Sequence, residues 1–144
     1  MPTQRHTFLI RSSSADIDVN LNEVLRNVTR ISIGFVQCPP VTANIDDFLY
    51  VTESGSSAIL EGNGSSNLSG TPGNPSRCFI TLPAPSATDT RTYTYGDYEI
   101  DKSYSTPFAL TSIRLKVVNA AGELVTFDPT GPDFGILFIC FTQV

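Results

Sequence analysis

The sequence predicts an all-β protein, a single jelly-roll sandwich of about eight antiparallel strands. Alternation of apolar and polar side chains with a period of two dominates the 144 residues, and helical periodicity is nearly absent. Segments rich in Gly, Pro and Asn separate the alternating stretches at regular spacing, which is typical of a sandwich or jelly roll. A single domain over residues 1–144 can bury roughly 70% of the surface that the unfolded chain exposes, so we expect it to fold without a metal or disulfide.

The strands are predicted in chain order from that alternation. Asp16, Asp18 and Asn20 alternate with apolar residues, so this strand has one solvated and one buried face. Asn22 is a suitable cap for a single helical turn over 23–26. The last strand is apolar on both faces, so we expect it to be central in a sheet and covered on both sides. The candidate strands are 7–11, 16–21, 31–35, 48–52, 57–60, 78–82, 92–100, 113–117, 124–127 and 136–142.

One segment, residues 61–77, consists almost entirely of Gly, Ser, Asn, Pro and Thr. It is too long for a hairpin turn, and long loops of this kind are usually functional or disordered. We therefore expect a long contact loop at about 61–77, with Asn63 and Asn67 among its contact residues. The N-terminal segment 1–6, which contains His6, is the second contact element that we predict.

Charge and cysteine content exclude several classes of protein. The formal net charge is −5, and the basic residues are scattered rather than clustered, so we expect no direct nucleic-acid binding. The charged fraction of 16% is below the usual ~25%, which leaves a neutral surface suited to contact with other proteins. Three widely spaced cysteines form neither a disulfide framework nor a zinc site, and we expect buried free thiols.

No stretch resembles a signal peptide or a transmembrane segment. The longest apolar run, 135–141, is far shorter than the ~20 residues that a membrane helix needs. We therefore expect a protein made in a cytosol, with no transmembrane segment.

The chain offers few residues for catalysis or metal binding. Its one histidine, His6, argues against a cupin-type metal centre and against a Ser-His-Asp or Cys-His nucleophile. The spacing Asp16-x-Asp18-x-Asn20 resembles the start of a calcium loop but lacks the Gly and Glu that follow in an EF-hand. Asp97, Glu99 and Asp101 fit the solvated side of a strand. We therefore predict no enzyme activity, no catalytic or metal-ligating residue and no cofactor.

A cluster of tyrosines is the strongest candidate contact surface. Tyr93, Tyr95, Tyr98 and Tyr104 supply large, stiff, amphipathic side chains of the kind enriched at protein interfaces. Tyrosine also stacks on sugars, so a carbohydrate-binding or adhesin-like β-sandwich module is the alternative function. Alternate tyrosines that simply line one face of a sheet would give the same pattern.

Both ends of the chain resemble the small single jelly-roll capsid proteins of tailless double-stranded-DNA viruses. The resemblance lies in the segments 7–21, 24–33 and 38–45 at the start and in 110–117, 124–127 and 132–134 near the end. It implies a structural virion protein, a penton or minor capsid component. Such a protein assembles with itself, as a pentamer or another ring, and with the major capsid protein. It is made in the host cytosol and resides in the virion.

Overall fold

A computed structural model describes residues 2–44, 47–53, 78–94, 96 and 101–144. Antiparallel strands account for almost all of this part of the chain, so the all-β prediction is confirmed. No helix in the described ranges is long and apolar enough to cross a membrane. The nine strands of the described residues are β1 (Thr3–Ser12), β2 (Asp16–Cys38), β3 (Val41–Ala43), β4 (Phe48–Glu53), β5 (Cys78–Pro83), β6 (Arg91–Thr94), β7 (Asp101–Val118), β8 (Thr126–Phe127) and β9 (Phe134–Gln143).

Strands β2 and β7 are long because each runs through both halves of the molecule. The β2–β7 register shifts three times between Asn20 and Arg30, and Asn27 has a φ of 58°. Asparagine tolerates this left-handed conformation better than most residues. Such bulges bend a strand and increase its twist, which lets β2 pass from one sheet to the other. The predicted helical turn over 23–26 is wrong, because these residues form the bend of one continuous strand.

The register arranges seven of the strands in two four-stranded sheets, with β2 contributing to both, and β3 pairs with β8. In the first, called the β9 sheet, β1 pairs with β9, β9 with residues 28–37 of β2, and residues 35–38 of β2 with β6. In the second, called the β4 sheet, residues 16–20 of β2 pair with the C-terminal part of β7, which pairs with β4, and β4 pairs with β5. This order of eight antiparallel segments, with β2 counted in both sheets, is that of a jelly roll.

One hydrophobic core joins the two sheets. On β9, Phe134, Ile136, Phe138 and Cys140 are fully buried, and they alternate with residues on the outer side. They belong to the same buried cluster as residues of β4 and β5. Period-two alternation on both sheets therefore places the core between them, as expected for a sandwich.

The last strand and the cysteines test two further predictions. Strand β9 is central, between β1 and β2, as expected. Its outer side is only half buried, so the expectation that it is covered on both sides is not met within the described residues. Cys38, Cys78 and Cys140 are buried and unpaired. Desolvation raises the pKa of Cys38 and that of Cys140 to about 12, which keeps these thiols protonated. The predicted strand 57–60 and loop 61–77 lie outside the described residues.

Candidate interaction surfaces

The outer side of the β9 sheet carries a row of apolar residues, called here the outer face: Leu9, Leu137, Ile139 and Phe141. Leu9 is directly opposite Leu137, and Thr7 is opposite Ile139, in the β1–β9 register. Leu9 is 47% exposed, and the three β9 residues are half buried. Aliphatic side chains grouped on one exposed face of a sheet are typical of a contact with another protein.

Gly34 allows the outer face to pack closely on the sheet. A Cβ atom added at Gly34 would lie 2.7 Å from Cδ2 of Leu137 and 3.4 Å from Cδ1 of Ile139. The two aliphatic side chains therefore lie over the bare backbone of β2. This close approach explains why they are half buried although no other element of the described chain covers them.

Charged residues border the outer face. Arg30 donates hydrogen bonds of 2.6 and 2.7 Å to the two carboxylate oxygens of Asp101, and its guanidinium lies 4.8 Å from the centre of the Phe141 ring. The hydrogen bonds from Arg30 lower the pKa of Asp101. At the other end, Arg11 and Asp133 form a longer, exposed ion pair of 3.5 Å. An apolar centre with a charged rim is the usual anatomy of a protein interface.

A groove of about 630 Å³ opens along one side of the sandwich, between β1 and the N-terminal half of β2. This side is called here the open edge, because β1 ends the β9 sheet and residues 16–25 of β2 end the β4 sheet. Half-buried apolar side chains line it, among them Phe8, Val19, Leu21 and Leu25. The core of the sandwich is therefore incompletely covered here.

The alternating hydrogen bonds between β1 and β9 identify the backbone N–H and C=O groups of β1 that point away from β9. The N–H of Val144 donates to the carbonyl of Pro2, so residues 2 and 144 form a hydrogen-bonded pair, and the register has no shift up to Ser12. Hydrogen-bonded pairs alternate along an antiparallel ladder. The even residues of β1 therefore bond to β9, and the odd ones direct their N–H and C=O groups away from the sheet. Those odd residues are Thr3, Arg5, Thr7, Leu9 and Arg11.

The same reasoning applies to the start of β2. The N–H of Val117 donates to the carbonyl of Ala15, and the register continues unshifted to Asn20. The backbone groups of Asp16, Asp18 and Asn20 therefore point away from the β4 sheet. Strand β1 has no acidic residue, whereas residues 16–25 have no basic one, so the two edge strands carry opposite charge.

The opposite side of the sandwich, between β5 and β6, is called here the closed edge. The Tyr93 hydroxyl of β6 donates a hydrogen bond to the carbonyl of Pro83 at the end of β5 and so joins the two sheets. The N–H of Ala84 donates to the carbonyl of Asp47 at 2.9 Å, and Pro85 is buried. These contacts cover the core at this edge within the chain itself.

The predicted contact residue His6 lies at the end of the groove. It is half buried, and its Nε2 is 3.0 Å from Oγ1 of Thr142, a buried residue of β9. The Thr142 hydroxyl also donates a hydrogen bond to the carbonyl of Gln4 at 3.5 Å. His6 is thus part of the link between β1 and β9 rather than a freely exposed side chain.

The structure describes two of the predicted tyrosines and brings neither to an exposed position. Tyr93 is 1% exposed and belongs to the core. Tyr104 is half buried and packs edge-on against Phe108, with ring centres 4.8 Å apart. Burial, and then the negative charge of Glu53, raise the pKa of Tyr104. The other predicted contact residues, Asn63, Asn67, Tyr95 and Tyr98, lie outside the described residues.

Sequence reasoning did not single out Glu53 or the open edge. Glu53 is 7% exposed and ends β4 opposite Leu115, but in the sequence it resembles an ordinary polar residue at a strand end. The spacing Asp16-x-Asp18-x-Asn20, which resembles the start of a calcium loop, lies on a strand, as expected. Asp18 forms an exposed ion pair of 3.2 Å with Arg114. The described residues contain no group of three or more His, Cys, Asp or Glu side chains arranged to hold a metal.

Comparison with known proteins gives no relative. No family model matches the chain, and no curated protein sequence matches it.

Proposed function

We propose that this protein is a structural subunit of a virus shell, a penton or minor capsid component that associates with its own copies and with the major capsid protein. The observation that carries the proposal is the outer face. A half-exposed apolar row with a charged rim on a rigid sheet suits the burial of a broad surface against another protein.

The fold is compatible with this role but does not select it. Jelly rolls serve as viral capsid domains, lectins and cupins, so the surface has to distinguish between them. Capsid subunits act by shape and adhesion, and stable contacts of this kind bury about 1,600 Å² in total. The outer face lies on the neighbouring strands β1 and β9, and β2 lies beside β9, so the sheet provides a continuous platform for such a contact.

The geometry of the described tyrosines favours a shell protein over the carbohydrate-binding alternative. A sugar site needs an aromatic ring whose face is open to solvent. Tyr93 is in the core, and Tyr104 packs against Phe108. The exposed side chain of the outer face, Leu9, is aliphatic and suits a protein neighbour better than a sugar.

Particle incorporation tests the proposal. Virus particles purified on a density gradient from cells that carry the viral genome should contain this chain at a fixed ratio to the major capsid protein. Replacing Leu137 and Ile139 by Lys should remove it from the particles, because two charges then interrupt the apolar contact. Ser112→Lys is the control, since Ser112 is a half-buried residue on the outer side of the β4 sheet. A chain that stays in the soluble fraction, or a doubly substituted chain that is still incorporated, would contradict the proposal.

A further inference from the structure

We infer that the open edge joins two copies of this chain around a two-fold axis, with β1 of each copy paired to the N-terminal half of β2 of the other. The β9 sheet of each copy would then continue into the β4 sheet of the other. This contact is independent of the shell role and would hold for any function of the protein.

The first support is the unprotected backbone of β1 and of residues 16–20 of β2, which precede the register shifts of that strand. Natural edge strands are usually blocked by proline, by bulges or by a covering segment, because free N–H and C=O groups pair readily with another strand. Strand β1 has ten residues, no proline and no register shift against β9. The closed edge shows the contrasting case, with Pro83 and Pro85 beside its end.

The second support is geometric. The chain reverses between Ser12 and Asp16, so β1 and the start of β2 run in opposite directions with their joined ends at the same level. Rotation about a two-fold axis parallel to the strands places β1 of one copy beside β2 of the other, at the same height along the axis. The two strands of this new pair are antiparallel. The odd-numbered residues of β1 then lie opposite the even-numbered residues of β2. These are the residues whose backbone N–H and C=O groups point away from the sheet within one copy.

The third support is charge. The pairing places Arg11 of one copy opposite Asp16 or Asp18 of the other, and the symmetry repeats the contact. A contact of β1 with β1 would instead bring Arg5 and Arg11 of both copies together with no acid on either strand. Opposite charges on facing strands stabilise a pair, whereas like charges destabilise it.

The fourth support is the groove. Phe8 and Leu21 line it and are only half buried in one chain. In the dimer, the groove of each copy faces that of the other, so these side chains become covered. Burial of this apolar area would supply most of the binding free energy, and the charged pairs would set the register.

The backbone contact is tested with Thr7→Pro. The N–H of Thr7 points away from β9, so proline removes a group needed by the partner but no hydrogen bond of the β1–β9 ladder. Light scattering on the size-exclusion eluate at about 100 µM, well above a micromolar Kd, should give twice the chain mass for the wild type and for the control Thr7→Ala. Thr7→Pro should give the mass of one chain with unchanged circular dichroism.

The charge contact is tested by exchange. Arg11→Glu alone, and Asp16→Lys/Asp18→Lys alone, should each raise the dimer Kd about 100-fold, because each places like charges opposite one another. An equimolar mixture of the two variants should restore the dimer as a heterodimer. Arg91→Glu and Asp89→Lys are the matched controls, since both residues lie near the closed edge. These soluble variants keep the test valid should Thr7→Pro fail to fold.

Other results would overturn the inference. If the wild-type protein has the mass of one chain, two copies do not pair at the open edge. The partner of this edge would then be a strand of another protein. A ring of five copies that neither charge variant affects assembles through another surface. A mixture that fails to dimerise rules out the opposite pairing of β1 and β2.

Discussion

The closed edge and the open edge belong to the same pair of sheets, yet the described residues complete only one of them. At the closed edge, Tyr93 spans from β6 to the carbonyl of Pro83 and is almost fully buried. At the open edge, Phe8 and Leu21 are half buried beside a groove, and no strand among the described residues pairs with the outer backbone groups of β1. We therefore expect the closed edge to contribute more to stability, and we propose the open edge as the contact between copies.

Truncation of one aromatic residue at each edge should give the largest contrast. Tyr93→Ala removes a fully buried ring and should lower the free energy of unfolding by about 4 kcal/mol. Phe8→Ala removes a half-buried ring stacked on Phe138 and should cost about half as much. Urea unfolding of the two variants, measured below the dimer Kd, checks the order. Equal losses would show that the two edges are equally complete in the single chain.

Removal of one hydroxyl should isolate the link that closes the edge. Tyr93→Phe keeps the ring but leaves the Pro83 carbonyl without the hydrogen bond that it accepts. We expect a loss of about 1 kcal/mol, the usual net contribution of one hydrogen bond, because Pro83 is exposed and its carbonyl can then accept a hydrogen bond from water. Thermal unfolding gives the value, and Tyr104→Phe is the control for the loss of a half-buried hydroxyl. A change indistinguishable from zero would mean that packing alone closes this edge.

The Arg30–Asp101 ion pair, which lies between the two edges, should make a smaller, pH-dependent contribution to the free energy of unfolding. The pKa of Asp101 lies below its unfolded value of 3.8, so its stabilising effect is complete above that value and is lost as the pH falls through the lowered folded pKa. Asp101→Asn should therefore cost about 1 kcal/mol or less at pH 7, since the pair is partly exposed. The cost should fall as the pH is lowered below 3.8 and vanish once the wild-type carboxyl is also protonated in the folded protein. Urea titrations of both proteins over this range of pH measure this, and a cost independent of pH would exclude the ion pair as its source.

The charges of the open edge should have the smallest effect on the single chain. Arg11 and Asp18 form ion pairs of 3.5 and 3.2 Å with largely exposed partners. Arg11→Gln and Asp18→Asn should each change the free energy of unfolding by less than about 0.5 kcal/mol, while both weaken self-association. Chemical denaturation of the monomer, compared with light scattering, separates the two effects. A large loss of monomer stability would show that these residues serve the fold rather than the contact.

Local alternation predicted most strands but not how far they extend. The sequence pattern identifies both β1 and β9, because successive side chains of a strand point to opposite faces and apolar residues therefore recur at every second position. The bend of β2 was predicted as a helical turn, because Asn22 and the four residues after it fit a cap and a turn locally. Pairing with β7, which is distant in the sequence, stabilises the extended form there.

The surfaces were harder to predict than the strands. The tyrosine pattern indicates alternate faces but not which face is inside, so Tyr93 was expected at a contact although it lies in the core. An edge strand differs from a central one only in its long-range partners. The open edge therefore has no local signal, apart from the absence of proline and acid in β1.

Amide hydrogen exchange, resolved by residue in NMR spectra, tests most directly whether the open edge is a contact surface. In dilute monomer, the amides of Thr7, Leu9 and Arg11 should exchange rapidly, and those of Phe8 and Ile10 should be protected by β9. On concentration, the first group should become protected as well. Protection of all five amides in the monomer, or unchanged exchange of the first group in the associated protein, would contradict the account.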